Sequence, residues 1–128
     1  MNDRTQLGEF AQSYAKAWCS QNPESVAAFF AENASLTVNG GLPAPALEVA
    51  RAFMRDFPDM TVTFDKLESR GDRTVFHWTL TGTHRAGNHV RISGYEIWRI
   101  NDAGLIAESN GHFDATDYER QVKGAAAL

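Results

Sequence analysis

Glu96 is the residue best placed for chemistry in this chain, because of its neighbours along the strand. Between His89 and Ile100 the residues alternate by face: Ile92, Gly94, Glu96, Trp98 and Ile100 on one side, Arg91, Ser93, Tyr95, Ile97 and Arg99 on the other. The first set is more apolar and is placed inward. A carboxylate among Ile, Trp and Gly is stripped of water, which raises its pKa and suits it to acid or base work near neutrality. Pairing with an arginine or a buried tyrosine is the structural alternative. Tyr14 sits on the apolar face of the first helical segment, where a buried phenol must find a partner. Asn39 can orient a bound molecule but takes up no proton at neutral pH.

A last strand ending in Glu108-Ser109-Asn110-Gly111-His112-Phe113-Asp114 puts Ser109, Gly111 and Phe113 opposite Asn110, His112 and Asp114. Without a bulge to re-aim it, Asp114 need not share a cavity with Glu96. With Thr116 it also reads as the N-cap of a final helical turn. Asn110 and His112 are kept as candidate ligand contacts. His84 shares a face with Phe76, Trp78, Leu80 and Gly82, which makes it a candidate for a pocket mouth or an exposed strand end. His77 falls on the opposite face. The four histidines show no metal-binding spacing and Cys19 has no cysteine partner, so no metal site and no intrachain disulfide is expected. No phosphate loop, nucleophile elbow or dinucleotide fingerprint is present, and no cofactor is expected.

These side chains need elements to hold them. Leu7, Phe10, Ala11, Tyr14, Ala17 and Trp18 fall at helical spacing, which predicts a helix over about Asp3 to Ser20, with Asp3 and Gln6 resembling a capping box. Asn22-Pro23 opens a short second helix whose buried face is Val26, Phe29 and Phe30. Leu36 and Val38 alternate with Ser35 and Thr37 in a strand over Ala34 to Asn39. A third helix runs from about Ala46 to Phe57 and stops at Pro58. Strands follow over Thr61–Glu68, Arg73–His84, His89–Ile100 and Leu105–Phe113, joined by short turns that favour antiparallel neighbours. A last helical turn or two covers about Thr116 to Val122, and the Gly-Ala-Ala-Ala-Leu end is expected to fray.

Helices before a run of antiparallel strands give an α+β fold, three N-terminal helices on one strongly curved sheet. Gly82, Gly94 and Gly111, one in each of the last three strands, point to a bent sheet with room inside, or to space for bulky neighbours such as Trp78 and Trp98. In such a cavity Trp18, Phe29, Phe30, Phe53, Phe57, Trp78 and Trp98 would form the lining, suited to a flat apolar ligand.

The 128 residues make one domain, 1–128, with 43% apolar and 22% charged residues, a globular composition. Twelve basic against sixteen acidic residues leave a net charge of −4, which disfavours nucleic acid and anionic lipid as partners. There is no membrane-length apolar run, and Met1 to Gly8 has no signal-peptide core, so a cytoplasmic protein is expected. Val75, His77, Thr79 and Thr81 beside Tyr95 and Ile97 form a mixed outer face suited to a homodimer.

The segments Ser13-Tyr14-Ala15-Lys16-Ala17-Trp18, Asn22 to Ala34 and Phe57-Pro58-Asp59-Met60 resemble the opening of the nuclear transport factor 2-like superfamily. Val75-Phe76-His77-Trp78-Thr79-Leu80-Thr81-Gly82-Thr83-His84 and Ser93-Gly94-Tyr95-Glu96-Ile97-Trp98-Arg99-Ile100, with Gly104 to Glu108, are similar to its SnoaL-like branch. The resemblance implies a cone-shaped α+β barrel of cystatin-like type, usually dimeric. Its hosts include ketosteroid isomerases, polyketide cyclases and pure binding modules. It implies an acidic catalytic residue at Glu96, an oxyanion-binding role at Tyr14 and an acid/base role at Asp114. The ketosteroid isomerase aspartate is missing from Leu36-Thr37-Val38-Asn39, and Gly94 stands where epoxide hydrolases carry an arginine. Asn110 replaces the tryptophan usual in the cyclases. An isomerase or cyclase acting by proton transfer on a polyketide- or steroid-like molecule is the activity implied, and a ligand-binding or dimerisation module is the alternative.

Overall fold

A computed structural model describes residues 4–124. The order is α1 (Arg4–Trp18), α2 (Pro23–Ala27), β1 (Phe30–Val38), α3 (Ala46–Asp56), β2 (Thr61–Arg70), β3 (Arg73–Thr83), β4 (His89–Ile100), β5 (Ile106–Phe113) and α4 (Ala115–Lys123). The strands form one sheet in the order β1-β5-β4-β3-β2. All neighbours are antiparallel except β1 and β5, which run parallel. This is the α+β architecture expected. The Asp3 cap and the fraying expected beyond residue 124 fall outside the described residues. No helix among the described residues is long and apolar enough to cross a membrane.

Local chemistry explains most boundaries. Asn22 caps α2, its side-chain oxygen accepting from the Glu24 N–H at 3.1 Å, with Pro23 in the first turn. α3 ends where Phe57, held extended before Pro58, leaves the helical region. Gly124 closes α4 at φ 73°, the left-handed conformation that glycine adopts without strain.

One boundary corrects the sequence reading. Phe29 and Phe30 are not the buried face of α2, which stops at Ala27; Phe30 begins β1 and pairs with Ile106 of β5. The strand starts four residues before the expected Ala34 because Asn33, at φ 65°, marks an irregularity between Phe30 and Ser35 that breaks the alternation.

The core lies between the helices and the inner sheet face. Tyr14 and Trp18 of α1 meet Phe76, Leu80, Ile92 and Trp98 of the sheet. On the outer face Val75 is fully buried although it is no part of that core. Around it, His77 bonds Glu68, and Thr79 bonds Asp65 at 2.6 Å and Ser93 at 2.7 Å. The His77 hydrogen bond is the main reason that the Glu68 carboxyl is held below the ordinary range.

The glycines divide between the two readings. A Cβ on Gly94 would lie 2.5 Å from Cζ2 of Trp78 and 2.4 Å from the His112 carbonyl oxygen. Gly94 therefore makes way for the indole paired across from it, not for empty space. Gly82 is less crowded but still tight, its Cβ position 3.1 Å from Oδ1 of Asp59 and 3.3 Å from the Phe57 ring. At Gly111 a Cβ would make only ordinary contacts, 3.6 Å from Cγ of Glu96 and 3.6 Å from the Thr37 carbonyl oxygen.

Candidate active site

Glu96 sits mid-sheet, paired with Phe76 on one side and Gly111 on the other. Strand alternation turns it inward with Trp98, and it is 6% exposed. Its Oε1 accepts three hydrogen bonds: from the Tyr14 hydroxyl at 2.9 Å, Trp98 Nε1 at 3.0 Å and Ser109 Oγ at 2.8 Å. Oε2 accepts only a longer one, from Tyr14 at 3.2 Å. No ion pair involves Glu96 among the described residues. Burial raises its pKa, and the donors from Trp98, Ser109 and Tyr14 only partly oppose that rise. Burial first, then the charge of Glu96, pushes the Tyr14 phenol well above its ordinary value. Tyr14 therefore stays protonated and donates. With Oε1 saturated by donors, Oε2 is the oxygen left to gain or release a proton.

Glu96 borders a cavity and is the sole ionisable member of its twelve lining residues. Trp18, Leu36, Val62, Phe76, Leu80 and Gly111 are its other buried members. Val38, Val49, Phe53, Trp78 and Phe113 are part-exposed and mark its open side. The cavity is narrow, about 60 Å³, whereas roughly 150 Å³ admits a benzene ring. A ring enters only if side chains on the open side give way. The indole nitrogens of Trp18 and Trp78 are both buried and without a hydrogen-bond partner among the described residues.

The residues singled out from the sequence separate clearly. Glu96, Trp18, Phe53 and Trp78 line the cavity. Tyr14 and Trp98 stand behind Glu96 as its donors. The rest are not lining residues. Phe30 packs against the Tyr14 ring at 6.0 Å, and Phe57 against His84 at 5.2 Å. His84 is not at the mouth; its Nδ1 accepts from the Ala86 N–H. Asn39 is exposed, and its side-chain oxygen accepts from the Phe113 N–H at 2.9 Å, tying β1 to β5. Asn110 and His112 alternate onto the outer face, where the His112 ring lies 5.1 Å from that of Tyr95. Asp114 is the N-cap of α4, accepting from the Asp117 N–H at 3.0 Å, and does not line the cavity.

Ser109 was not foreseen as part of the site. Its signal was a small hydroxyl on the inward register of β5, opposite Trp98, where an apolar residue would otherwise stand. It is fully buried.

The sequence pattern of the SnoaL-like domain matches residues 11–109. No curated protein matches the chain. Among solved structures, a protein of ketosteroid isomerase-like fold from Catenulispora acidiphila DSM 44928, in complex with trimethylamine, superposes with a TM-score of 0.79 at 16% identity, over 90% of this chain and 92% of that one. TsrD from Streptomyces laurentii is similar at a TM-score of 0.80 and 19% identity, over 100% of both chains. SalBIII, an epoxide hydrolase/cyclase-like enzyme with a role in pyran ring formation in the polyether salinomycin, gives 0.77 at 16% identity, over 91% of this chain and 97% of that one. At these identities the likeness establishes the fold alone.

Proposed function

This chain belongs to the SnoaL-like domain family, and on that premise we propose that it binds an apolar, ring-bearing molecule of polyketide or steroid type above Glu96 and moves a proton on it without a cofactor. The supporting observation is a lone buried carboxyl at an otherwise apolar cavity, its pKa raised and one oxygen saturated by Tyr14, Trp98 and Ser109. A raised pKa makes the ionised form a stronger base. Ionised Glu96 takes a proton from a carbon beside a carbonyl, leaving an enolate. Protonated Glu96 then returns it at the same carbon, or at the γ-carbon where the enolate is conjugated with a double bond. One group serves both steps, so no second acid is needed.

Exchange of the acetophenone methyl protons in D₂O, followed by proton NMR, tests this. Wild-type protein should speed exchange above the buffer rate, and Glu96→Gln should lose about 100-fold or more of that gain. Exchange at the buffer rate while acetophenone binds would favour the second reading, a binding module. That reading has the pairing of Glu96 with buried Tyr14 on its side.

The homodimer belongs to the same proposal. Tyr95 and Ile97 flank buried Val75 on the outer face, a part-apolar surface suited to a second copy. Light scattering should report twice the chain mass; a monomeric mass removes this part.

A further inference from the structure

The cavity offers a ligand more than its carboxyl. Trp18 is 7% exposed and Trp78 part-exposed, yet both Nε1 atoms are buried and bond to nothing among the described residues. The third tryptophan shows the contrast, since Trp98 donates to Glu96 at 3.0 Å. The Trp18 side chain also interacts with the Tyr14 hydroxyl and opposes the rise of its phenol, at a geometry short of a full hydrogen bond. Buried donors left without acceptors are costly, and both of these belong to rings that line the cavity. Trp78 is also held in place, its ring edge against Gly94 and 6.0 Å from the Phe113 ring. Glu96 lies diagonally across from it, because Phe76 pairs with Glu96 and Trp78 with Gly94. A molecule resting on the Glu96 carboxyl therefore also reaches the Trp78 side of the cavity.

We propose that the indole N–H groups of Trp78 and Trp18 are ligand-binding donors, and that the occupant is an uncharged, flat molecule with exposed carbonyl or ether oxygens. This rests on the reading of the cavity as a ligand site, though not on proton transfer. No lysine, arginine or histidine lines the cavity to hold an anion. A hydrocarbon would leave both N–H groups unpaired. A cation could pair with Glu96 but would itself offer the two N–H groups no acceptor. In the reaction proposed above, the same donors would hold the carbonyl oxygen and the negative charge it gains on enolisation.

Three probes of one shape separate these chemistries: acetophenone with an acceptor oxygen, isopropylbenzene without one, and 1-phenylethylamine with a positive charge. Dissociation constants are read by NMR titration of wild type, Trp18→Phe, Trp78→Phe and the double variant. Acetophenone should bind about tenfold more tightly than isopropylbenzene, and 1-phenylethylamine no better than the hydrocarbon. The preference should shrink in each single variant and vanish in the double one, with isopropylbenzene measured on the same variant as the reference for the change in cavity size. A readout that needs no variant is the indole N–H resonance of ¹⁵N-tryptophan protein. Acetophenone should move the Trp18 and Trp78 signals downfield and leave Trp98 in place. Equal binding of acetophenone and isopropylbenzene, a preference that survives in the double variant, or tighter binding of the amine would overturn the proposal while leaving the cavity a ligand site. If no probe binds, the ligand-site reading fails and this inference with it.

Discussion

Glu96→Leu should destabilise the fold by about 3–6 kcal/mol, and Glu96→Gln by less than about 1 kcal/mol. The difference lies in the three donors that converge on Oε1, from Tyr14, Trp98 and Ser109. Leucine fills the space but accepts nothing, and each buried donor left without a partner costs about 1–3 kcal/mol. Glutamine keeps an oxygen where Oε1 stands, and its amide group can donate to the Tyr14 oxygen in place of the bond to Oε2. Urea unfolding at pH 7 measures both, with the m-value as a check that the unfolded states are comparable. Equal midpoints for the leucine variant and wild type would show that the donors are satisfied elsewhere.

The same glutamine variant carries a pH signature. Below pH 4.5, the ordinary value for the group, Glu96 is protonated in both the folded and the unfolded chain and favours neither. Above it the unfolded chain ionises first, because burial raises the folded value. Wild type should therefore lose about 1.4 kcal/mol of stability per pH unit across that window, until pH passes the folded pKa. Glu96→Gln lacks this slope. Its stability relative to wild type should improve steadily from pH 4.5 upward and then level off, and the levelling point measures the folded pKa. Asp59 and Glu68, whose values are lowered, give slopes of opposite sign, but these are shared by both proteins and cancel in the difference. A flat difference between the two proteins would mean that Glu96 is not held protonated by burial.

Periodicity carried the sequence reading as far as the sheet and most of the site. Alternation alone turned Glu96 and Trp98 inward, and helical spacing set Tyr14 and Trp18 on the face that meets them. It misled wherever a single residue departs from regular backbone. The left-handed conformation of Asn33 hid the start of β1. Asn39 looked like a ligand contact, yet its left-handed backbone, at φ 51°, and its bond to Phe113 make it a tie between strands. Asp114 was open to two roles, since capping and catalysis ask for the same side chain, and it takes the cap. Ser109 escaped because its role depends on tertiary contact, a carboxylate 13 positions away on the neighbouring strand. The size of the cavity was equally illegible, since glycines in strands signify space or close packing with equal force.

Gly94 is where that ambiguity can be settled by experiment, and Gly94→Ala should cost about 2–4 kcal/mol, lowering the melting temperature by roughly 10 °C. The added methyl would meet two neighbours of different kinds. One is the Trp78 ring, with Cζ2 at 2.5 Å and Cη2 at 2.9 Å. A side chain can swing aside, though at the expense of its packing on Phe113. The other is the His112 carbonyl oxygen at 2.4 Å, which belongs to the backbone of β5. It cannot yield without opening the pairing of Gly94 with Phe113 and of Tyr95 with His112. A second substitution separates the two contributions. Trp78→Leu alone removes the ring and should destabilise. Combined with Gly94→Ala it should cost less than the sum of the two single changes, because the methyl then has only the carbonyl to displace. Strict additivity would mean that the ring is no obstacle and the strand pairing takes the whole strain. A Gly94→Ala protein that melts within about 2 °C of wild type would mean that the sheet has slack at this position, and the bent-sheet reading of the glycine would then be preferred. Displacing Trp78 also moves one wall of the cavity on its open side, so Gly94→Ala should alter acetophenone affinity although residue 94 lines no part of it.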